Sequence, residues 1–171
     1  MKLKGKKAII TGGNRGLGKA TAIAFAQLGV DVAITGRNEK KLKSTVLELQ
    51  ALGVNAFYEV FDVANYKDVK VGIKNIISNL GTVDILVNNA GVMALRDLPT
   101  VDGYDVQMQT NVISQFLITK ELFPLLRKSK NARIVNHTSM ARLGGPLLSD
   151  YFEKKGGENG NGFEHHIFSS G

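Results

Sequence analysis

The chain has 171 residues, 43% of them hydrophobic, which suffices to bury one sizeable core, so we expect a single domain. It contains no cysteine, which excludes disulfides, thiolate metal sites and cysteine nucleophiles. No apolar stretch approaches the length of a membrane span, and the basic start precedes too short an apolar run for a secretory signal. We therefore expect a soluble, cytoplasmic protein.

The net charge of +7 at pH 7 raises the question of an anionic partner. The lysines are scattered over the faces of predicted helices, as in residues 39–43, and this distribution favours a solvated surface. We therefore expect no specific nucleic-acid partner. The adjacent His165 and His166 have no cysteine and no obvious carboxylate beside them, so we also expect no metal site.

A glycine-rich turn, residues 11–18, follows the first predicted strand, residues 8–11. A helix is predicted after the turn because apolar residues recur there at helical spacing: Leu17, Ala20, Ala24 and Leu28. Gly12, Gly16 and Gly18 lack a Cβ, so the backbone can turn tightly and approach a pyrophosphate closely. The amino end of the following helix offers free N–H groups and a positive dipole. The turn therefore predicts a dinucleotide phosphate site.

Strand and helix patterns continue to alternate along the chain. Further strands are predicted at residues 32–35, 56–61, 85–87 and 133–138, and a long helical stretch is predicted around residues 111–126. This alternation predicts an α/β fold, a Rossmann-type doubly wound parallel sheet with helices on both faces. We assign residues 1–155 to this domain and residues 156–171 to a glycine-rich irregular tail. The pattern fails after Ser139, so the sheet is expected to be incomplete on its C-terminal side.

Several motifs occur in the order typical of one enzyme family. They are Thr-Gly-x-x-x-Gly-x-Gly in the turn, Asn88-Asn89-Ala90-Gly91 after a strand, Asn111 on a helix, Ser139 after another strand, and Tyr151-x-x-x-Lys155. In these motifs the chain resembles the short-chain dehydrogenase/reductase family, including its retinol-dehydrogenase-like members. The resemblance runs from about residue 6 to residue 139, and the chain looks like the first two thirds of such a domain.

The resemblance implies a set of cofactor-binding residues. They are Gly12, Asn14, Arg15, Gly16, Leu17, Gly18, Arg37, Asn38, Asp62, Val63, Asn88, Ala90 and Gly91. Where folds that use NAD place an acidic residue for the adenosine ribose, this chain has Arg37, which suits the extra 2′-phosphate of NADP, and Arg15 is expected to reach the same group. We therefore expect NADP (NADPH) in preference to NAD.

Two of these residues have a second interpretation. Asp62 is expected to contact the adenine, but an aspartate at this place is also suited to capping the next helix. Asn88 and the residues that follow it are expected to lie under the cofactor, or to tie neighbouring strands together as structural residues.

The resemblance also implies the reaction, a hydride transfer between the nicotinamide and a carbonyl or alcohol substrate. In it Tyr151 exchanges the proton of the substrate oxygen, Lys155 favours the phenolate, Ser139 orients the substrate oxygen and Asn111 holds a water. Two interpretations of Tyr151 and Lys155 stay open. They are the family's catalytic pair, or they belong to an insertion, because Gly156 and the next glycine would end a helix at once.

Two functions therefore stay open for this chain. The first is an NADP-dependent oxidoreductase, for which the resemblance to retinol-dehydrogenase-like members suggests a lipophilic substrate, and the second is a truncated, catalytically inactive dinucleotide-binding module. Without a further strand, the predicted fifth strand is an edge with apolar Ile134 and Val135, so we also expect a tendency to form homo-oligomers.

Overall fold

Five parallel strands form one sheet in this computed structural model, which describes residues 3–93, 95 and 98–139. The strands are β1 (Lys7–Thr11), β2 (Asp31–Gly36), β3 (Ala56–Val60), β4 (Ile85–Asn88) and β5 (Arg133–Asn136). Their order across the sheet is β3-β2-β1-β4-β5, with every neighbouring pair parallel. The predicted doubly wound parallel sheet is therefore confirmed.

The helices connect these strands and cover both faces of the sheet. They are α1 (Gly16–Gln27), α2 (Glu39–Gln50), α3 (Tyr66–Leu80), α4 (Val106–Met108) and α5 (Ser114–Leu126), with a π-helical turn (Gln109–Ile113) joining α4 to α5. Asn38 caps α2 and Asn65 caps α3, each by accepting backbone N–H groups of the first turn. Gly81, at a φ of 73°, ends α3.

Two apolar clusters hold the layers together. One cluster packs α1 and α2 on one face of the sheet and includes Ile10, Ile34, Ala22 and Leu42. The other packs α3 and α5 on the opposite face and includes Ile9, Leu86, Ile73 and Ile118. The central strands β1 and β4 are therefore buried from both sides, as the apolar runs of a parallel sheet require.

A hydrogen-bonded carboxylate fastens the amino ends of the central strands. Asp84, directly before β4, accepts hydrogen bonds from Lys6 Nζ at 2.9 Å and from the Lys7 backbone N–H at 3.1 Å. Ser129 Oγ donates to the same carboxylate at 2.6 Å, from the segment between α5 and β5. These hydrogen bonds join three parts of the chain at the amino ends of the strands, whereas the glycine turn lies at their carboxyl ends.

The structure differs from the sequence-based boundaries by more than one residue in two places. The long helical stretch begins at Val106 and contains a π-helical turn, whereas the pattern predicts it from residue 111. β5 ends at Asn136, two residues earlier than predicted. Residues 140–171, with the predicted tail and the domain boundary at residue 155, lie outside the described residues. Within the described part, no helix is both long and apolar enough to cross a bilayer.

Candidate functional site

A cleft of about 470 Å³ lies at the carboxyl ends of β1 to β4. Its walls are the four segments that follow these strands, and the strand order reverses between β1 and β4 at this place. Open α/β sheets bind their ligands at such a switch point. Predicted cofactor residues line it: Gly12, Asn14, Arg15, Gly16, Leu17, Gly18, Arg37, Asn38, Asp62, Val63, Ala90 and Gly91.

The glycine turn is shaped as a cradle at the floor of this cleft. Gly12 and Gly16 have φ values of 67° and 52°, a region that side chains other than glycine rarely adopt. A Cβ at Gly18 would overlap the carbonyl oxygen of Gly12 and the side-chain amide of Asn89. The turn therefore needs glycine at these places, and the backbone of α1 begins directly behind it. This arrangement fits a pyrophosphate group.

Three cationic side chains are among the residues that line the cleft. Arg15, Arg37 and Lys41 all line it, and Asp62 is the carboxylate among them. Arg37 Nη1 lies 3.5 Å from Asp62 Oδ2, with the two side chains 67% and 40% exposed. An exposed pair of this length contributes little to stability, so Arg37 remains able to exchange Asp62 for an anionic ligand.

Lys41 is a cleft residue that the sequence analysis missed. It lies in the first turn of α2, where its backbone N–H donates to the capping side chain of Asn38 at 3.0 Å. No local signal separates it from the neighbouring lysines, because only the fold brings the first turn of α2 to the same cleft as Arg37.

The segment after β4 is clamped to the glycine turn. The backbone N–H groups of Asn89 and Ala90 both donate to Thr11 Oγ1 at 2.9 Å. Asn89 Nδ2 donates to the carbonyl oxygens of Thr11 and Gly12, at 2.8 and 3.2 Å. Asn89 also lines the cleft, although the predicted set leaves it out. These contacts fix the distance between two walls of the cleft.

Asn88 has a different place from its motif neighbours. Its side chain is fully buried, and Nδ2 donates to Thr119 Oγ1 at 3.2 Å and to Asn136 Oδ1 at 2.8 Å. These contacts tie β4 to α5 and to β5. Asn88 is not among the lining residues of the cleft, so its geometry matches the structural interpretation.

Asp62 does not cap the helix that follows it, and its predicted adenine contact stays a prediction. Its Oδ1 accepts the backbone N–H of Ala64 at 3.0 Å, two residues on. The N-cap of α3 is Asn65, so the interpretation of Asp62 as a helix cap is wrong. The carboxylate lines the cleft with Val63 beside it.

Asn111 lies in the π-helical turn and anchors the loop after β4. Its Nδ2 donates to the carbonyl oxygen of Val92 at 2.7 Å, and its Oδ1 accepts the Val92 backbone N–H at 2.9 Å. A Cβ at Gly91 would lie 3.2 Å from Asn111 Oδ1, so this approach favours glycine there. Single π-helical turns are frequent at functional sites.

Of the three remaining predicted catalytic residues, the structure describes only Ser139. Ser139 follows β5 by three residues and is exposed at the same carboxyl edge of the sheet as the cleft. Tyr151 and Lys155 lie outside the described residues, so their assignment stays a prediction.

Comparison with known proteins identifies relatives over most of the chain. The sequence model of the family described as short chain dehydrogenase matches residues 6–160 of this chain. Retinol dehydrogenase 13 of Homo sapiens is 33% identical over 150 residues, which cover 86% of this chain and 45% of that protein. The chain spans about half the length of the curated relatives that it matches.

Two solved structures share the fold and were determined with different cofactors. L-Sorbose reductase from Gluconobacter frateurii, complexed with NADPH and L-sorbose, has a TM-score of 0.72 and 27% identity, over 82% of this chain and 56% of that one. A 7α-hydroxysteroid dehydrogenase complexed with NADH and 7-oxo glycochenodeoxycholic acid has a TM-score of 0.74 and 34% identity, over 88% and 60%.

Proposed function

The chain belongs to the short-chain dehydrogenase family, and from that premise we propose that it is an oxidoreductase that binds NADP(H) in preference to NAD(H) and acts on a carbonyl or alcohol. Relatives of known structure are complexed with NADPH in one case and with NADH in another, so membership alone leaves the cofactor open. The observation that carries the preference is the group of three cationic side chains in the cleft, Arg15, Arg37 and Lys41.

The proposed cofactor arrangement uses residues that already line the cleft. The glycine turn would hold the pyrophosphate, where backbone N–H groups and the amino end of α1 favour an anion. Asp62 and Val63 would meet the adenine. Arg37, whose carboxylate partner is exposed and 3.5 Å away, would turn to the 2′-phosphate together with Arg15 and Lys41.

Charge decides the proposed preference. Three cations and one carboxylate among the lining residues favour an additional phosphate, and position 37 offers no acidic partner for ribose hydroxyls. Hydrogen bonds to a charged group contribute about 1.5 to 3 kcal/mol, which is about ten- to a hundredfold in affinity.

In the proposed reaction each chain residue has a separate task. The bound nicotinamide would supply or accept the hydride. Ser139 would orient the substrate oxygen, and Tyr151, assisted by Lys155, would move its proton. Asn111 would keep the loop after β4 in place through its two bonds to Val92.

A lipophilic substrate is proposed from two observations. One relative is named a retinol dehydrogenase. In addition, apolar side chains line the cleft and remain exposed: Leu17 is 72% exposed and Leu95 is 36% exposed. Exposed apolar residues at a cleft suit a ligand with an apolar body.

Cofactor titration tests the proposal. We expect the full chain to bind NADPH about ten- to a hundredfold more tightly than NADH, measured by the change in cofactor fluorescence. Arg37→Asp should reverse the order, while Arg127→Asp, an exposed site at the end of α5, should leave it unchanged. Equal affinities for the two cofactors in the unsubstituted chain would overturn the preference.

A second candidate function is dinucleotide binding without turnover. Among the residues that the structure describes, those that line the cleft lie between positions 12 and 110, whereas the predicted proton-transfer pair lies at positions 151 and 155. Binding and turnover can therefore be tested by separate substitutions. NADPH oxidation with a panel of lipophilic carbonyls, abolished by Tyr151→Phe, would favour the enzyme; binding with no oxidation would favour the module.

We keep the cytoplasm as the proposed location and a small molecule as the proposed partner, on the sequence grounds of composition and motif. Cell fractionation with an antibody against the chain tests the location, and recovery in a sedimented organelle fraction would contradict it.

A further inference from the structure

His137 contacts the clamp that holds the glycine turn. It follows β5 by one residue, and its backbone N–H donates to the carbonyl oxygen of Asn88 at 3.0 Å. Its ring is half-buried, and Nδ1 lies 2.9 Å from Asn89 Oδ1. The histidine thus touches the side chain that itself binds Thr11 and Gly12.

The hydrogen-bond partners of Asn89 determine which ring nitrogen carries a proton. One end of its amide lies 2.8 and 3.2 Å from two backbone carbonyl oxygens, which accept only, so that end is the NH₂ group. The other end is then the oxygen, which also accepts only. His137 Nδ1 must therefore donate, and in the neutral ring Nε2 carries no proton.

The two carbonyl oxygens fix the orientation of the Asn89 amide, and the Nδ1–H tautomer of His137 supports that orientation. If the amide turned over, its oxygen would face the carbonyl oxygens of Thr11 and Gly12, and its NH₂ group would face the Nδ1–H of His137. Both arrangements are repulsive. The amide also lies against the turn, where a Cβ added at Gly12 would come within 3.0 Å of Asn89 Nδ2. The orientation of this amide therefore sets the positions of the two carbonyl groups that begin the turn.

We propose that His137, held as its Nδ1–H tautomer by Asn89, is a positioning residue for the dinucleotide cradle. Through Asn89 it joins the end of β5 to the glycine turn. His137 lies 48 positions from Asn89, and Asn89 lies 77 positions from Gly12. The assignment of the tautomer depends only on the hydrogen bonds. The expected effect on cofactor binding rests on the proposed dinucleotide function.

The tautomer is tested without any cofactor. Long-range ¹H–¹⁵N correlation spectra of the ¹⁵N-labelled full chain, recorded at alkaline pH where imidazoles are neutral, distinguish protonated from bare ring nitrogens. The spectrum of His137→Asn identifies the signals of His137 by their loss. We expect a protonated Nδ1 and a bare Nε2, and a protonated Nε2 with a bare Nδ1 would overturn the proposal.

The positioning role is tested by a pair of substitutions with opposite expected outcomes. His137→Val removes the donor, whereas in His137→Asn the side-chain NH₂ takes the place of Nδ1–H. We expect NADPH to bind the valine variant about three- to tenfold more weakly, the worth of one hydrogen bond, and the asparagine variant within about twofold of the unsubstituted chain. Thr138→Val, at the exposed neighbouring position, is the matched control and should bind unchanged.

Hydrogen exchange separates failure of this proposal from failure of the proposed function. In the cofactor-free chain the Asn89 and Ala90 amides, which donate to Thr11 Oγ1, should exchange faster in His137→Val and at the original rate in His137→Asn. If the unsubstituted chain binds neither dinucleotide, the proposed function fails while this exchange pattern still decides the clamp. Equal exchange and equal affinity in both variants would overturn the positioning role.

Discussion

Asp84 illustrates how one carboxylate stabilises the centre of this sheet. Burial by itself raises the pKa of Asp84, but hydrogen bonds from the Lys6 ammonium, the Ser129 hydroxyl and the Lys7 backbone outweigh it and hold the pKa below its ordinary value. The residue is 9% exposed and its ion pair with Lys6 measures 2.9 Å. A charge in this setting is stabilising only while its partners remain in place.

We expect Asp84→Asn to lower the free energy of unfolding by about 1 to 3 kcal/mol at neutral pH, because it removes the charged acceptor. Since the folded-state pKa is lowered, the contribution of the carboxylate is fully present above the unfolded-state pKa of about 4, and is lost as the pH falls through the folded-state pKa. Urea denaturation from pH 7 to pH 3 should therefore show the two proteins converging at acid pH.

Glu48→Gln is the matched control for that experiment. Glu48 forms an ion pair of 2.7 Å with Lys19, but the two side chains are 46% and 32% exposed. An exposed pair contributes about 1 kcal/mol or less, so the loss should be smaller. A constant difference between Asp84→Asn and the unsubstituted chain over the whole pH range would contradict the titration argument.

At the same scale, the sequence predicts residues whose role is local and misses those whose role depends on distant contacts. The glycines of the turn are predicted because their conformation and close approach exclude a Cβ. His137 and Asn89 lie 48 positions apart, and no local pattern indicates that their side chains meet. Lys41 is hidden among other helix lysines until the fold places the first turn of α2 beside the cleft.

Single elements show how closely the layers are packed. Gly72 lies in the middle of α3, and a Cβ there would overlap the ring of Phe61, which follows β3. Phe61 is 5% exposed and belongs to the cluster that also contains Val69 and Ile73. The helix can therefore approach the sheet only because position 72 has no side chain.

We expect Gly72→Ala to lower the free energy of unfolding by about 1 to 2 kcal/mol in urea denaturation. Overpacking a core costs about 1 to 3 kcal/mol, and the better helix propensity of alanine offsets part of this. The control, Val71→Ala, changes a neighbour that is 62% exposed and should stay within about 0.5 kcal/mol. Phe61→Leu should relieve the cost of Gly72→Ala, and an equal cost in both backgrounds would contradict the overlap.

Element boundaries are predicted least well where side chains bind backbone from another segment. The start of the helix at Val106 is missed because its cap, Asp105, precedes a stretch rich in polar residues, Gln107 and Gln109 among them. Both glutamines are buried in the fold, so polarity alone gives the wrong expectation. The π-helical turn contains Asn111, which binds the backbone of Val92, and the pattern of a single segment does not show this contact.

For the whole molecule, β5 is the outer strand of the sheet in the part of the chain that the structure describes. It pairs with β4 on one side, and Ile134 and Val135 are 41% and 42% exposed. An apolar strand edge invites pairing with another chain. Self-association through this strand is therefore a prediction, as the sequence suggested.

We expect Val135→Lys to lower self-association, because a charge on an outer strand opposes edge-to-edge pairing. Sedimentation velocity at rising protein concentration should show a smaller increase in mass for this variant than for the unsubstituted chain. Val71→Lys places the same charge on exposed α3 and should change nothing. A monomer at every concentration in the unsubstituted chain would rule out association through β5.

The position of β1 between β2 and β4 has a consequence for synthesis of the chain on the ribosome. β2 follows β1 after one helix, but β4 begins only at Ile85. One side of β1 therefore stays unpaired until β4 has been synthesised. At about 5 to 20 residues per second, that wait lasts about 4 to 15 s. During this time Ile9 and Ile10 of β1, which are fully buried in the finished fold, lack the neighbouring strand β4. The nascent half-sheet is thus the stage at which a chaperone would have most apolar surface to bind.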